Sequence, residues 1–142
     1  MDLETVPADT FGRSLTGVGL NILTRDAAAL ASFMVEVFGL TAHRVSRDFA
    51  ILRHGEALIQ LHADATYGAH PLSGLLPEAG LRGAGMQVFL FGVDPDAAAA
   101  RAEAAGGVVL EPPADKPHGL REATVLAPEG QAFSPAVART PG

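Results

Sequence analysis

The chain has 142 residues, 48% of them hydrophobic and 18% charged, with a formal net charge of -6. This composition predicts a folded domain, and the negative charge without a basic cluster argues against nucleic acid or an anionic membrane as partner. The chain contains no cysteine, which excludes disulfides, thiolate nucleophiles and cysteine-based zinc sites. Residues 1–11 do not resemble a signal peptide and no apolar stretch reaches the roughly 20 residues of a membrane span, so we expect a soluble, cytoplasmic protein.

The first half of the chain reads as a strand, a helix and two further strands. Residues alternate in polarity over Thr16–Thr24, which is the period of a strand whose two faces differ. Asp26 then offers an N-cap, apolar residues follow at helical spacing, and Gly39 supplies a stop signal. Two extended runs, Phe49–Arg53 and Ala57–His62, are joined by a short glycine-centred turn and predict a hairpin.

The second half repeats this order. Residues 65–84 are rich in turn-forming residues and read as a linker, with a short helical turn near residues 75–79. Met86–Val93 is an apolar strand candidate, and Asp94 can cap a helix over Ala97–Ala105. Three short strands, separated by proline-containing turns, are predicted after that helix: Val108–Leu110, Glu122–Leu126 and Gln131–Phe133.

The repeated β-α-β-β-β order indicates one α+β domain built from two similar modules, neither large enough to be stable alone. We place the first module at residues 14–64, the linker at 65–84, the second module at 85–136 and a frayed tail at 137–142. One helix covers one face of each half-sheet, so we expect the two uncovered faces to enclose a cavity, which is a preferred place for a ligand.

Several fragments in this order resemble the vicinal oxygen chelate superfamily, which contains glyoxalase I, extradiol dioxygenases and bleomycin or fosfomycin resistance proteins. The resemblance covers roughly Thr16 to Pro135, and the fragments that carry it are Asp26 with Val37-Phe38-Gly39-Leu40, Asp94-Pro95-Asp96, Gly106-Gly107-Val108, Pro112-Pro113, His118-Gly119-Leu120-Arg121 and Pro128-Glu129-Gly130. The resemblance implies two pseudo-symmetric βαβββ modules that form a curved, partly open sheet around a central cavity. It also implies a homodimer, in some members with modules exchanged between chains.

The resemblance further implies metal ligands at fixed places, namely a histidine near the start of each module's first strand and an acid on each last strand. Three of these positions fall on Gly19, Gln87 and Ser134, and the fourth lies near Gln60 or His62. Glycine has no donor atom, and glutamine and serine are poor ligands for transition metals. We therefore expect no metal cofactor, and the chain is nearest to the binding-type members of the superfamily.

A small-molecule ligand would contact the polar and aromatic side chains that share the predicted cavity faces. Gln60 and His62 alternate on one strand, and an amide followed by two phenylalanines alternates on another, which favours a flat, partly apolar ligand. An arginine fork could hold an anionic or carbonyl group. The predicted ligand-binding residues are Asn21, Gln60, His62, Gln87, Phe89, Phe91, Arg121 and Ser134.

Each of these assignments has a plainer alternative. His62 could be an edge residue exposed to solvent, and the phenylalanine pair could pack under the alanine-rich helix as core. Arg121 could form a surface salt bridge with Glu122 or Asp115. Tyr67 could overhang the pocket or anchor its own loop.

Two functions of different class remain open at this point. The first is sequestration of a small, partly hydrophobic organic molecule in a metal-free pocket, as in bleomycin resistance proteins. The second is an enzyme of the same superfamily: a metal-dependent lyase, isomerase or dioxygenase with an atypical ligand set and a divalent metal, or a metal-free enzyme. In an enzyme His62 would be the natural general base, because imidazole titrates near neutrality.

Overall fold

The computed structural model describes residues 1–83 and 85–139 and has a mixed α+β architecture. The α-helices and β-strands of these residues are, in chain order, α1 (Ala8–Ser14), β1 (Leu20–Thr24), α2 (Ala27–Phe38), β2 (Thr41–His43), β3 (Phe49–His54), β4 (Ala57–Ala63), β5 (Val88–Phe91), α3 (Pro95–Ala102), β6 (Val108–Asp115), β7 (Leu120–Leu126) and β8 (Ala132–Ala138). No helix of this part of the chain is long and apolar enough to cross a membrane.

The strands form two sheets of four with the same internal order. The first runs β1-β4-β3-β2 and the second β5-β8-β7-β6, so each module's first strand lies parallel to its last strand. The remaining neighbours in both sheets are antiparallel. The predicted α+β class with two strand-helix-strand-strand-strand modules is confirmed.

Local capping chemistry explains why the module helices begin and end where they do. The Asp26 carboxylate accepts the N–H of Ala29 at 3.1 Å at the start of α2, and Gly39 ends that helix with a φ of 73°. At α3 the Asp94 carboxylate accepts from Asp96 and Ala97 at 2.9 and 3.4 Å. The predicted N-caps at Asp26 and Asp94 are both confirmed.

The chain divides into two compact units. The first comprises residues 1–32 and 40–74, and the second comprises residues 33–39 and the described residues from 75 onward. In the second unit the ring of Phe38 lies 5.4 Å from that of Phe133 and 5.8 Å from that of Phe33. Ala98 and Ala102 of α3 are completely buried, so this helix packs closely on its sheet.

Two predicted boundaries in the second unit were wrong, and proline is the reason. Pro112-Pro113 was expected to form a turn but lies within β6, which is an edge strand where a missing N–H leaves no partner unsatisfied. Pairing of β6 with β7 is irregular just before this pair of prolines and again across it. Strand β8 likewise continues through Pro135 to Ala138 and so includes the first two residues of the expected frayed tail, of which residues 140–142 lie outside the described residues.

The predicted linker also contains more structure than expected. Short 3-10 helices span Asp64–Tyr67 and Pro71–Leu75, whereas the predicted helical turn was near residues 75–79. The rest of this stretch has no helix or strand among its described residues, and Ala84 lies outside them.

The N-terminal residues, for which the sequence predicted no element, form α1 and cover part of the first sheet. Leu3, Val6 and Phe11 are buried together with Ile51 of β3, and Phe49 and Leu58 pack against this group. We call residues 1–15 the N-terminal segment.

Candidate functional site

Strand pairing in the first unit places three predicted ligand-binding residues on one face of the sheet. Asn21 of β1 lies opposite Gln60 of β4, and residues that lie opposite each other share a face. His62 follows Gln60 by two positions and therefore points to the same side. On this strand Ile59 and Leu61 are buried towards the other face, whereas Gln60 and His62 are half-buried.

The His62 imidazole is tied into a short polar network. Its Nδ1 lies 2.6 Å from Asn21 Oδ1, and Asn21 Nδ2 donates to the Tyr67 hydroxyl oxygen at 2.8 Å. Partial burial disfavours the imidazolium and lowers the pKa of His62 below 6.5. The ring is therefore a neutral hydrogen-bonding group at pH 7.

Aromatic rings surround this network. The Phe49 ring lies 4.9 Å from the His62 ring at an interplanar angle of 63°, and the Tyr67 ring lies 5.5 Å from it at 62°. His70 stacks in a tilted arrangement 4.8 Å from Tyr67. Edge-on packing of this kind holds the imidazole in place while leaving it partly exposed.

The N-terminal segment covers the other end of this same face. Ile51 lies opposite Gln60 and is 1% exposed because Leu3, Val6 and Phe11 pack over it. The Asn21 side of the face remains exposed. In the first unit, the exposed part of this face is therefore the side that carries the polar network.

Arg44 fastens the N-terminal segment to the sheet. Its backbone N–H donates to Glu4 Oε1 at 3.1 Å, its Nε donates to the Glu4 carbonyl at 3.1 Å, and its Nη2 donates to the Val6 carbonyl. Arg44 is the one non-glycine residue with a positive φ, 53°, among residues 1–83 and 85–139. His43 Nδ1 lies 3.4 Å from the same Glu4 oxygen.

A second polar group forms in the second unit, where Gln87 precedes β5. Gln87 Nε2 donates to Ser134 Oγ at 2.8 Å, and Thr124 Oγ1 lies 3.0 Å from the same hydroxyl. Ser134 is completely buried, whereas Gln87 is exposed. Two of the predicted ligand-binding residues are thus in direct contact, and Thr124 is a member of the group that the sequence did not indicate.

Phe89 and Phe91 extend this surface along the edge strand β5. Their rings stack 5.5 Å apart at an interplanar angle of 10°, and they are 38% and 60% exposed. Leu90 between them is 2% exposed and faces the core. The alternative that the two phenylalanines pack under the alanine-rich helix is therefore wrong.

Arg121 does not join the polar group of the second unit. Its position in β7 lies opposite Val137 and therefore on the face away from Ser134. Its guanidinium donates to both Asp96 oxygens at 2.8 Å and to Asp115 at 3.2 Å. These bonds raise the pKa of Arg121 and lower the pKa of Asp96. Arg121 therefore forms the salt bridge with Asp115 that was the alternative prediction, and it forms a second one with Asp96, which was not predicted.

Few side chains of the described residues are arranged as metal ligands. Within residues 1–83 and 85–139, no group of three or more histidine or acidic side chains lies close enough to hold a metal ion. Gly19 precedes β1, and Gln87 and Ser134 are hydrogen-bonded to each other. His62 and His70 are the residues of the candidate site with a nitrogen suited to a transition metal, and two such ligands are fewer than a stable site needs.

Three features of the site escaped prediction. Tyr67 was left open between two roles, because its position depends on a 3-10 turn that has no periodic pattern. Phe49 reaches His62, and Thr124 reaches Ser134, because their strands are paired. The residues next to Phe49 and Thr124 in the sequence do not indicate these contacts. An assumed register for each predicted hairpin could have revealed both contacts, because the register determines which residues lie opposite each other.

A sequence model of the Glyoxalase/Bleomycin resistance protein/Dioxygenase superfamily matches residues 18–134. A glyoxalase/bleomycin resistance protein/dioxygenase family enzyme from Burkholderia phytofirmans PsJN has a similar structure, with a TM-score of 0.69 and 23% identity over 98% of this chain and 100% of that one. A glyoxalase-related enzyme from Fulvimarina pelagi has a TM-score of 0.67 and 20% identity, covering 87% of this chain and 88% of that one. TioX from Micromonospora sp. ML1 has a TM-score of 0.61 and 21% identity, covering 89% of this chain and 99% of that one. No curated protein gave a significant sequence match. At these identities the similar structures bear on the fold alone.

Proposed function

Because the chain belongs to the glyoxalase/bleomycin resistance protein/dioxygenase superfamily, we propose that it binds a small, partly hydrophobic organic molecule without a metal ion. Binding itself, with no bond made or broken, is then the function. The members of this superfamily include both resistance proteins and enzymes, so the choice between them depends on the chemistry of this chain's own side chains.

The observation that carries the proposal is the contact between Gln87 and Ser134. Both stand at positions that the family pattern gives to metal ligands, and here they hydrogen-bond to each other at 2.8 Å. The stacked rings of Phe89 and Phe91 lie on the same strand and expose a flat apolar surface. Ser134 is completely buried and so holds the exposed Gln87 amide in place without contacting a ligand itself; an amide beside an aromatic surface suits a neutral organic molecule better than a cation.

The first unit offers a second group of the same character. The network joins the Asn21 amide, the Tyr67 hydroxyl and the His62 imidazole, whose pKa is lowered by burial, and it lies against the ring of Phe49. A pocket lined by aromatic rings with a few oriented polar groups is typical of a small-molecule site. Both groups therefore support a ligand that is largely apolar and carries polar atoms at its edge.

Metal analysis tests the metal-free part of the proposal. Protein purified without an affinity tag is analysed for bound metal and then titrated with nickel, zinc, manganese and iron(II). We expect no stoichiometric metal and no tight binding of any of the four. A tightly bound stoichiometric metal that is lost in His62→Ala would contradict the proposal and establish the metal-dependent alternative.

Ligand-observed NMR with a collection of small aromatic and aliphatic fragments tests the binding part. We expect flat aromatic fragments to bind, and we expect Phe91→Ser to weaken them several-fold, because it removes half of the stacked surface. Leu110→Ser is the matched control, since Leu110 is equally exposed at 62% but lies on β6. Equal losses in both variants would show that binding is non-specific.

One observation favours the enzyme alternative in its metal-free form. His62 is neutral at pH 7 and fixed by Asn21, which are properties of a general base. For any fragment that the protein converts, His62→Ala should abolish turnover. Under the binding proposal the same substitution only weakens affinity, and no converted product is found with the wild-type protein.

A further inference from the structure

The two nitrogens of the His62 ring are in different situations. Nδ1 faces the Asn21 amide oxygen at 2.6 Å, and an amide oxygen can only accept a hydrogen bond. Nδ1 therefore carries the proton of the neutral ring. The lone pair is left on Nε2, for which the residues that the structure describes provide no partner.

The same asparagine also sets the direction of the tyrosine hydroxyl. Asn21 Nδ2 donates to the Tyr67 oxygen at 2.8 Å, so the hydroxyl proton is left for another acceptor. Asn21 thus sets the position of the proton on both of its neighbours, His62 and Tyr67. His62 presents an acceptor and Tyr67 presents a donor.

The surroundings of this pair are aromatic. The rings of Phe49 and Tyr67 stand edge-on to His62 at 4.9 and 5.5 Å, and His70 lies beside Tyr67 at 4.8 Å. An aromatic ligand gains from such surroundings through ring contacts as well as apolar burial. The Phe49 ring and the Asn21 amide that joins His62 to Tyr67 carry no charge, so these groups favour a neutral ligand over an ion.

From this geometry we propose that the first unit selects neutral, flat aromatic molecules with a hydroxyl or N–H donor at the ring edge, such as phenols. The ligand's donor engages His62 Nε2, and Tyr67 donates to an acceptor on the ligand. Asn21 is the positioning residue, because it fixes the proton arrangement of both partners. This inference rests on the proposed binding function and specifies its ligand class.

The tautomer of His62 is measurable without any ligand. Long-range proton–nitrogen NMR on uniformly 15N-labelled protein above pH 7 identifies which ring nitrogen carries the proton, and His62→Gln assigns the signal. We expect protonated Nδ1 and unprotonated Nε2. Asn21→Ala should allow the other tautomer to form, whereas Gln60→Ala, on the same face, should not. A protonated Nε2 in the wild-type protein would overturn the proposal.

A pair of matched probes tests the ligand class. 2-Naphthol has a hydroxyl donor, and 2-methoxynaphthalene has the same rings without one. We expect calorimetry to show tighter binding of 2-naphthol by roughly three- to tenfold, the effect of one hydrogen bond. In His62→Phe, which keeps an aromatic ring and loses the acceptor, the two probes should bind equally.

The outcomes separate this inference from the proposed function. Equal binding of both probes to the wild-type protein would overturn the donor selectivity and leave the binding function standing. Failure of both probes, together with failure of every fragment in the wider collection, would overturn the binding function as well. A preference for 2-naphthol that persists unchanged in His62→Phe would place the selectivity elsewhere and overturn the assignment to His62.

Discussion

At the scale of single residues, the burial of His62 makes stability depend on pH. Its folded pKa is lowered below 6.5, so the unfolded chain takes up a proton at this residue more readily than the folded chain. The free energy of unfolding should therefore fall as the pH drops through 6.5, and this residue should add no slope above that range. Urea unfolding between pH 5 and 7.5 measures it. His62→Gln should lack this part of the slope, and parallel curves for the two proteins would contradict the prediction.

Gly107 is a second residue whose role can be measured alone. A Cβ atom there would lie 2.6 Å from the Leu126 carbonyl oxygen and 2.8 Å from the Phe33 ring, and the backbone oxygen cannot easily move away. We expect Gly107→Ala to destabilise the protein by about 1–3 kcal/mol in urea unfolding. Gly12→Ala is the control, because nothing lies near its Cβ position within α1, where alanine should add up to about 1 kcal/mol. A neutral Gly107→Ala would contradict the close contact.

At the scale of elements, the N-terminal segment is a part that can detach on its own. Helix α1 has only seven residues, too short to be stable without packing, and its hold on the sheet depends on few buried side chains and on Arg44. Arg44→Gly keeps the left-handed backbone at φ 53° accessible and removes the guanidinium. We expect trypsin to cleave after Arg13 roughly tenfold faster in this variant, because the side-chain hydrogen bonds to the segment are lost.

The control for this experiment removes a positive charge elsewhere. Arg139→Gly lies at an exposed position near the end of β8 and should leave cleavage after Arg13 at the wild-type rate. Cleavage after Arg53, within β3, should stay slow in all three proteins. If it rises together with cleavage after Arg13, the substitution has loosened the whole unit, and local detachment is excluded.

Elements with local signals were predictable, and elements that depend on distant pairing were not. Asp26, Gly39 and Asp94 act through hydrogen bonds or φ angles of their own neighbourhood, so their sequence positions sufficed. The proline pair at 112–113 looked like a turn because no sequence pattern indicates that β6 would be an edge strand. Helix α1 was missed because its buried residue, Phe11, packs in a group with Ile51 of β3, far along the chain.

The candidate site shows the same division. The family pattern assigned Gln87 and Ser134 to two metal-ligand positions, and the structure brings their side chains together. Arg121 was expected near them, yet it points to the opposite face, where Asp96 and Asp115 hold it. A shift of one position along a strand reverses the face of a side chain, and the sequence around Gly119 does not determine where β7 begins.

At the scale of the whole molecule, the expected homodimer remains a prediction with a definite salt dependence. Large apolar side chains are exposed on the second unit, among them Phe91 at 60%, Leu110 at 62% and Met86 at 65%. Covering such side chains in a second copy would remove apolar surface from water. Each chain carries a net charge of -6, however, so two copies repel each other at low ionic strength.

We therefore expect association to strengthen as salt rises from about 0.02 to 0.5 M, a range over which the screening length falls several-fold. Light scattering coupled to gel filtration should give a mass of twice 14.6 kDa at high salt, with a growing monomer fraction at low salt and low protein concentration. Phe91→Ser, by exposing less apolar surface to cover, should shift the balance towards monomer if β5 takes part in the interface. A mass of 14.6 kDa at all salt and protein concentrations would contradict the dimer. A dimer that weakens as salt is added would mean that ion pairs, and not apolar contacts, hold the two copies together.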